Sequence, residues 1–306
     1  MDQSSSKSPG ARPRVAAHLI VGPREEPFLG ALCKSIEGAC ELLIVNDNSP
    51  DPSPHRQALE QSAFALEGRL ILDRAPFTDF ANARNICLRL HRERDAGEWI
   101  AFVDADEVHG EAVNRIAANL HAAPAHCDFI DGYTWHFFQS FERYMSIERR
   151  MAFFRFTPHV RWEGAVHEQL RGLSGERIAL PYVYAHYGWV MPARRHAEKG
   201  RHYLSLGAAG QVVHESELDA VEAENYFEFA HRWATALRFT GTHPQAARPT
   251  IERLRRERAQ EFARVEQLIA RNQPFRQRVQ NALVKMNYEL RWRGRALNPQ
   301  ARRLLA

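Results

Sequence analysis

Asp104 and Asp106 close an apolar run, Trp99-Ile100-Ala101-Phe102-Val103-Asp104-Ala105-Asp106-Glu107. In an extended backbone alternate side chains share a face, so the two carboxylates point the same way and Ala105 points opposite. The residues before them are apolar on both faces, as in a strand buried between helices. Two acids just outside such a strand form a negative cluster, which costs free energy unless a cation neutralises it. Hard oxygen ligands suit Mg²⁺ or Mn²⁺, and these ions bridge to phosphate oxygens. A D-x-D triplet alone also fits a turn or a helix N-cap. The buried strand ahead of it favours ligand chemistry, because open α/β sheets bind their ligands at the carboxyl ends of the strands.

Elements of alternating type must position these acids. Strand patterns run over 15–21, 42–46, 70–72 and 99–103, and helical patterns over 26–37, 55–66, 80–92 and 111–121. Such alternation predicts a parallel-rich sheet between helices. Residues 129–138 are β-branched and aromatic, and 151–156, 161–170 and 178–189 are further strand-like runs. A helix is expected over 193–206. The remainder, from 216 on, reads as helical with a break around 240–249, and no internal repeat is present.

At this point the chain resembles family 2 glycosyltransferases of the GT-A fold. The residues that carry the resemblance are Arg24-Glu25-Glu26-Pro27-Phe28-Leu29 with Ser35-Ile36, Val45-Asn46-Asp47-Asn48-Ser49, Ala83-Arg84-Asn85, and Gly97-Glu98-Trp99-Ile100 leading into Asp104-Ala105-Asp106-Glu107. Arg161-Trp162-Glu163-Gly164-Ala165-Val166-His167-Glu168 and His186-Tyr187-Gly188 are similar to segments that follow the acidic motif in bacterial members. Order and spacing fit as well, and the resemblance covers about residues 15–206. The implied fold is α/β, a mixed, mostly parallel sheet between helices. The implied divisions are a tail over 1–14, a GT-A domain over 15–215 and a basic helical extension over 216–306.

The resemblance implies a metal-dependent, inverting transferase that uses a nucleoside-diphosphate sugar, with a UDP-sugar favoured, and Mn²⁺ or Mg²⁺. It implies that Asp106 coordinates the metal directly and that Asp104 approaches the ribose and the metal's water shell. The ion would act as a Lewis acid on the leaving diphosphate. Glu107 is either a supporting acid or the opening of a helix. Asp47, just past the second strand, is placed to accept hydrogen bonds from a base N–H or ribose hydroxyls; its alternative is a helix cap or Asx-turn. Asn46 departs from the acid usual at that position. Arg84 belongs near the nucleotide by analogy, with an ion pair to Asp79 or Glu98 as its alternative.

His186 follows an apolar strand and precedes Tyr187-Gly188, which makes it the candidate third metal ligand, against a hydrogen-bonded core histidine; His167 competes for the role. Inversion by direct displacement needs a general base for the acceptor hydroxyl. Glu168 is the first candidate and Glu163 the second, and an ion pair of Glu168 with Arg171 or Arg161 is the structural alternative. Trp162 and Trp189 could stack on sugar faces or pack in the core.

The 306 residues, 44% of them hydrophobic, suffice for one large domain with an appendage. No run of about 18 apolar residues spans a membrane, and residues 1–14 lack the apolar core of a secretory signal. Cys33, Cys40, Cys87 and Cys127 show no C-x-x-C spacing and read as ordinary thiols of a reducing compartment, hence a cytoplasmic protein. The net charge of +4 is uneven: from Arg248 onward there are 15 basic and 5 acidic residues. A basic tail on an acidic body points to a polyanion, nucleic acid or, in preference, an anionic membrane surface. Val279, Leu283, Met286 and Leu290, flanked by Arg276, Arg278, Lys285, Arg291, Arg293 and Arg295 with Trp292, make a stripe that would lie on such a surface, dock on the catalytic domain or pair with a second subunit.

The acceptor favoured by the resemblance is a surface-polysaccharide or lipopolysaccharide-type glycan, lipid-linked or peptide acceptors being open. Two other classes remain: a metal-dependent nucleotidyltransferase or phosphohydrolase, and a non-catalytic binding module. The first lacks a G-x-x-x-x-G-K-[ST] loop and a second acidic cluster.

Overall fold

The computed structural model describes residues 14–211, 213–294 and 298–306. Of the expected N-terminal tail only Arg14 falls among them. Arg295 and the side chains of Trp292 and Arg293, part of the expected C-terminal stripe, lie outside the described set.

The first half alternates as its sequence pattern requires: β1 (Val15–Val21), α1 (Leu29–Ile36), β2 (Leu42–Asp47), α2 (Pro54–Glu60), α3 (Ala63–Leu66), β3 (Leu70–Asp73), α4 (Phe80–Glu93) and β4 (Trp99–Phe102). β1 pairs in parallel with β2 and β4, and β2 with β3. β4 is buried on both faces, so its apolar run is continuous rather than alternating. The single helix expected over 55–66 is two, because Ser62 starts a new one: its Oγ accepts from the Ala65 amide at 3.3 Å. Asp79 caps α4 in the same way, accepting from the Asn82 amide at 2.7 Å. Gly97, just ahead of β4, has φ +116°, and a Cβ there would meet the Arg14 carbonyl oxygen at 2.5 Å.

The second half adds β5 (Glu107–Val108), α5 (Ala112–Ala118), β6 (Cys127–Phe138), β7 (Arg143–Arg155), β8 (Arg161–Glu163), β9 (Gln169–Arg171), β10 (Glu176–Trp189) and α6 (Ala193–Ser205). The long hairpin β6–β7 joins β4 through antiparallel pairing of β7, and β10 then runs parallel to β6. The sheet order is β3-β2-β1-β4-β7-β6-β10-β5. This mixed sheet, mostly parallel on one side and flanked by helices, is the GT-A arrangement expected. The extended run expected over 161–170 is instead the small hairpin β8–β9. Gly164 (φ +102°) and His167 (φ +56°) turn the backbone into the left-handed region and end the strand.

The C-terminal part is helical: α7 (Phe229–Thr235), a short β11 (Leu237–Arg238) on the edge of β7, then α8 (Arg248–Glu257), α9 (Ala259–Asn272), α10 (Phe275–Gly294) and α11 (Pro299–Leu305). Its cores are shared with the sheet. Ile251, Leu254 and Phe262 pack with Phe28, Val108 and Phe141, and Val265 and Ile269 with Phe138 and Trp233. Ala301 and Leu304 of α11 sit in the cluster that holds Val15, Leu19 and Trp99. All four cysteines are buried and none is in a disulfide.

Candidate active site

A cavity of about 780 Å³ opens at the carboxyl ends of β1 and β4. Asp104 and Asp106 follow β4 directly. The chain then turns into β5, whose Glu107 pairs in register with His186 of β10. The Tyr187 amide donates to the Asp106 carbonyl at 2.8 Å. This pairing of β5 with β10 places His186 Nε2 3.4 Å from Asp106 Oδ2. Gly188 permits the approach: a Cβ at that position would stand 2.0 Å from Asp106 Oδ2 and 2.9 Å from His186 Nε2.

The two acids have different neighbours. Both oxygens of Asp104 are held by arginines, one by Arg84 Nη2 and the other by Arg150 Nη2 at 2.9 Å. Burial works to raise the Asp104 carboxyl, but Arg84 and Arg150 outweigh it and hold the group well below the usual carboxylate range. Arg150 also bonds Glu107 Oε1 at 2.7 Å. Glu107 is an interior acid: burial pushes it up to about 8, against the pull of Arg150, while its other oxygen accepts the Asp104 amide at 3.1 Å. It is therefore a structural support, not the opening of a helix. The expectation that the acids need an added cation is met for Asp104 from within the chain, by arginines 20 and 46 positions away.

Asp106 is less provided for. Burial again raises its carboxyl, and His186 brings it down to about 2. Its Oδ1 is buried without a hydrogen-bond partner among the described residues. A bare carboxylate oxygen beside an imidazole nitrogen is a donor set that suits Mn²⁺, so Asp106 and His186 fit a divalent cation. Asp104 does not fit the role of a free ligand, because its oxygens are committed to guanidinium groups. Among the described residues no three His, Cys, Asp or Glu side chains converge as a metal-holding group. His186 Nδ1 lies 3.2 Å from His136 Nδ1. His167, by contrast, is exposed on the β8–β9 loop with its ring 6.5 Å from Tyr203, and it does not reach Asp106.

Glu168 reaches the cavity wall, with Oε1 3.4 Å from Arg84 Nε. Its partner is thus Arg84 rather than Arg171 or Arg161, and Arg84 binds Asp104 and Glu168 rather than Asp79 or Glu98. Glu163 is exposed, paired with Arg161 at 2.8 Å and Arg171 at 3.5 Å, and does not line the cavity. Asp47 is likewise outside the lining. Ser49 donates to its Oδ1 through the backbone amide at 2.9 Å and the hydroxyl at 2.5 Å, and Arg56 bonds Oδ2 at 2.9 Å. The Asx-turn alternative for Asp47 is what the structure contains. Trp162 is buried and stacks on Phe102 at 5.1 Å; Trp189 stacks on His196 at the same distance.

Sequence reasoning missed Arg150, Lys199 and Glu26. Lys199 of α6 faces the cavity with no hydrogen bond or ion pair among the described residues; Trp189 and Tyr203 rings lie 5.6 and 5.9 Å away. Burial disfavours its charge, but Tyr203, Asp106 and Glu26 more than restore it, so the ammonium is retained. Burial and the adjoining Asp106 push Glu26 up to about 8. Glu26 was visible in the Arg24-Glu25-Glu26 segment; Arg150 and Lys199 carry no local signal.

Residues 24–175 match the family model described as glycosyl transferase family 2, and through this segment the chain belongs to that family. A comparison with curated proteins gave no match. Among solved structures, residues 1–349 of TarS from S. aureus, in complex with UDP, are similar at 18% identity and a TM-score of 0.32, over 40% of this chain and 35% of that one. A mycobacterial protein is similar at 15% identity and a TM-score of 0.29, over 41% of this chain and 42% of that one. The chain spans less than half the length of either.

Proposed function

We propose that this glycosyltransferase is metal-dependent and inverting, and moves a sugar from a nucleoside-diphosphate donor, a UDP-sugar in preference, to a glycan acceptor of the surface-polysaccharide type. The observation that carries the reading is the pair Asp106–His186, with Asp106 Oδ1 unpartnered at the mouth of β4. These two side chains would hold Mn²⁺ or Mg²⁺, which when bound supplies Lewis acidity to the leaving diphosphate.

The chain's own groups do the rest. Lys199, without an ion pair among the described residues, offers its ammonium to phosphate oxygens, a charge placed before it is needed. Arg84 and Arg150 lock Asp104 in one orientation on the cavity wall, and so fix the turn that carries Asp106. Glu168 meets Arg84 through Oε1 alone among the described residues, which leaves Oε2 to take the proton of an acceptor hydroxyl. The β8–β9 loop that carries it is tied down at two points: Asn85 exchanges hydrogen bonds with the Trp162 backbone at 2.9 Å each, and the Phe80 amide donates to Ala165 O at 3.2 Å.

The test is a panel of labelled nucleotide sugars with Mn²⁺ or chelator, without acceptor, scored for free sugar and nucleotide. Slow sugar release with nucleoside diphosphate is expected from the native chain, and Asp106→Asn, isosteric and unpartnered at Oδ1, should lose both release and metal-dependent nucleotide binding while folding normally. Release of nucleoside monophosphate would instead assign the chain to diphosphate hydrolysis. Unchanged metal dependence in Asp106→Asn would remove Asp106 from the site.

A further inference from the structure

We infer that α10 lies on an anionic lipid surface, with its outward apolar face against the bilayer. The helix is docked by its polar side. Asn281 Nδ2 donates to the Ala234 carbonyl at 2.9 Å, and Lys285 Nζ to the Arg238 carbonyl at 3.1 Å and the Thr240 hydroxyl at 2.9 Å. Gln277 supports Asn281 from one turn earlier, at 3.0 Å. The opposite face carries Phe275, Val279, Leu283, Met286 and Leu290, exposed by 75, 45, 57, 54 and 64%. At about 100° per residue these five fall within an arc of roughly 80°, half a turn from Asn281. Of the alternatives for this stripe, docking on the catalytic domain is not what the structure contains: the body takes the polar residues Asn281 and Lys285, and the apolar stripe is left outside.

The charge pattern selects the occupant. Helix α10 holds five Lys or Arg and a single acid, Glu289. Arg276, Arg278 and Arg291 are exposed and make no ion pair among the described residues. Glu289 is partly buried and acts on Tyr144, on the body side. A second copy of the chain would bring the same arginines together across a two-fold axis, with no exposed acid of α10 to offset them. A polyanion without an apolar interior would leave five hydrophobic side chains in water. An anionic bilayer accepts both, the arginines at the headgroups and the apolar face among the upper acyl carbons. No described helix is long and apolar enough to cross a membrane, so α10 lies in the interface plane. The inference does not depend on the transferase reading.

The experiment is co-sedimentation of the full chain with phosphatidylglycerol–phosphatidylcholine vesicles and with phosphatidylcholine vesicles alone. The expected result is binding to the anionic vesicles that falls at least about tenfold between about 0.05 and 0.5 M salt. Leu283→Glu/Leu290→Glu should lose at least about tenfold through the apolar face, and Arg276→Glu/Arg278→Glu should do so through charge. Both should keep the native melting temperature and donor hydrolysis, since neither pair touches the cavity. The inference is overturned if the native chain stays in the supernatant at low salt. It is also overturned if both variants bind as the native chain does, or if light scattering shows a dimer that Leu283→Glu/Leu290→Glu dissociates while vesicles bind neither form.

Discussion

Asp104 and Asp106 stand two residues apart and do opposite work. The first is held by guanidinium groups on both oxygens and fixes geometry; the second keeps one oxygen without a hydrogen-bond partner among the described residues. Arg150 decides the difference, because it joins Asp104 to the buried Glu107. Arg150→Met should therefore destabilise the fold by roughly 3–5 kcal/mol, the usual effect of leaving a buried acid without its partner. It should also abolish transfer, with Glu107→Gln in the same chain restoring part of the stability and none of the activity. Urea denaturation and donor hydrolysis measure the two separately; an Arg150→Met chain of native stability would contradict the account. The acids were legible because they are adjacent in sequence and close an apolar strand. His186 and Arg84 were candidates through the resemblance, but that Arg84 binds Asp104, and Arg150 altogether, had no signal: these arginines come from α4 and β7, and a sequence window has no access to which arginine a sheet will bring round. For Asp47 the local alternative, the Asx-turn, was legible in the sequence, because Ser49, which donates to its Oδ1, stands two residues on.

At the scale of elements, the candidate site lies where β5 pairs antiparallel with β10. The alternation of the first half was readable, because its strands are nearly continuous apolar runs, β1 broken only by His18, and the longer helices α1 and α4 have regular buried faces. The β6–β7 hairpin was read only in fragments. Its strands carry polar residues such as Arg149 and Asp131 that pair with one another across the sheet and so break the apolar pattern. For α10 the period was read correctly, but periodicity gives a stripe without saying which way it faces. The approach of Asp106 to His186 depends on one missing methyl group. Gly188→Ala should push Asp106 and His186 apart, lower metal-dependent donor turnover by at least about tenfold, and leave the melting temperature within a few degrees, because the clash falls on side-chain termini and not on backbone. A Gly188→Ala chain with native metal affinity would separate that approach from the site.

For the whole molecule, the histidines set an acid limit. Burial lowers His91 to about 4 and His109 and His196 to about 3, all below the ordinary value of 6.5. Between those values the unfolded chain binds protons that the folded chain refuses, so stability is present above about pH 6.5 and is lost as pH falls toward 4. Each unit of depression corresponds to about 1.4 kcal/mol. Glu26 and Glu107, raised to about 8, work in the opposite direction over the same interval. The urea midpoint should therefore fall only modestly from pH 7 to pH 5, and a midpoint that rises across that interval would show that these rings are not buried as neutral groups in solution. A last consequence belongs to α11. Its Ala301 and Leu304 fill the same core as Val15 and Leu19 of the first strand, so the molecule is stitched shut from both ends of the described chain. During synthesis, the nascent polypeptide can lay down the sheet early, yet it must wait with that seam open until residue 304 has left the ribosome. In this respect the protein is born late: an incomplete translation product stopped at the catalytic segment would carry every residue of the cavity and still expose apolar surface for chaperones and proteases to find.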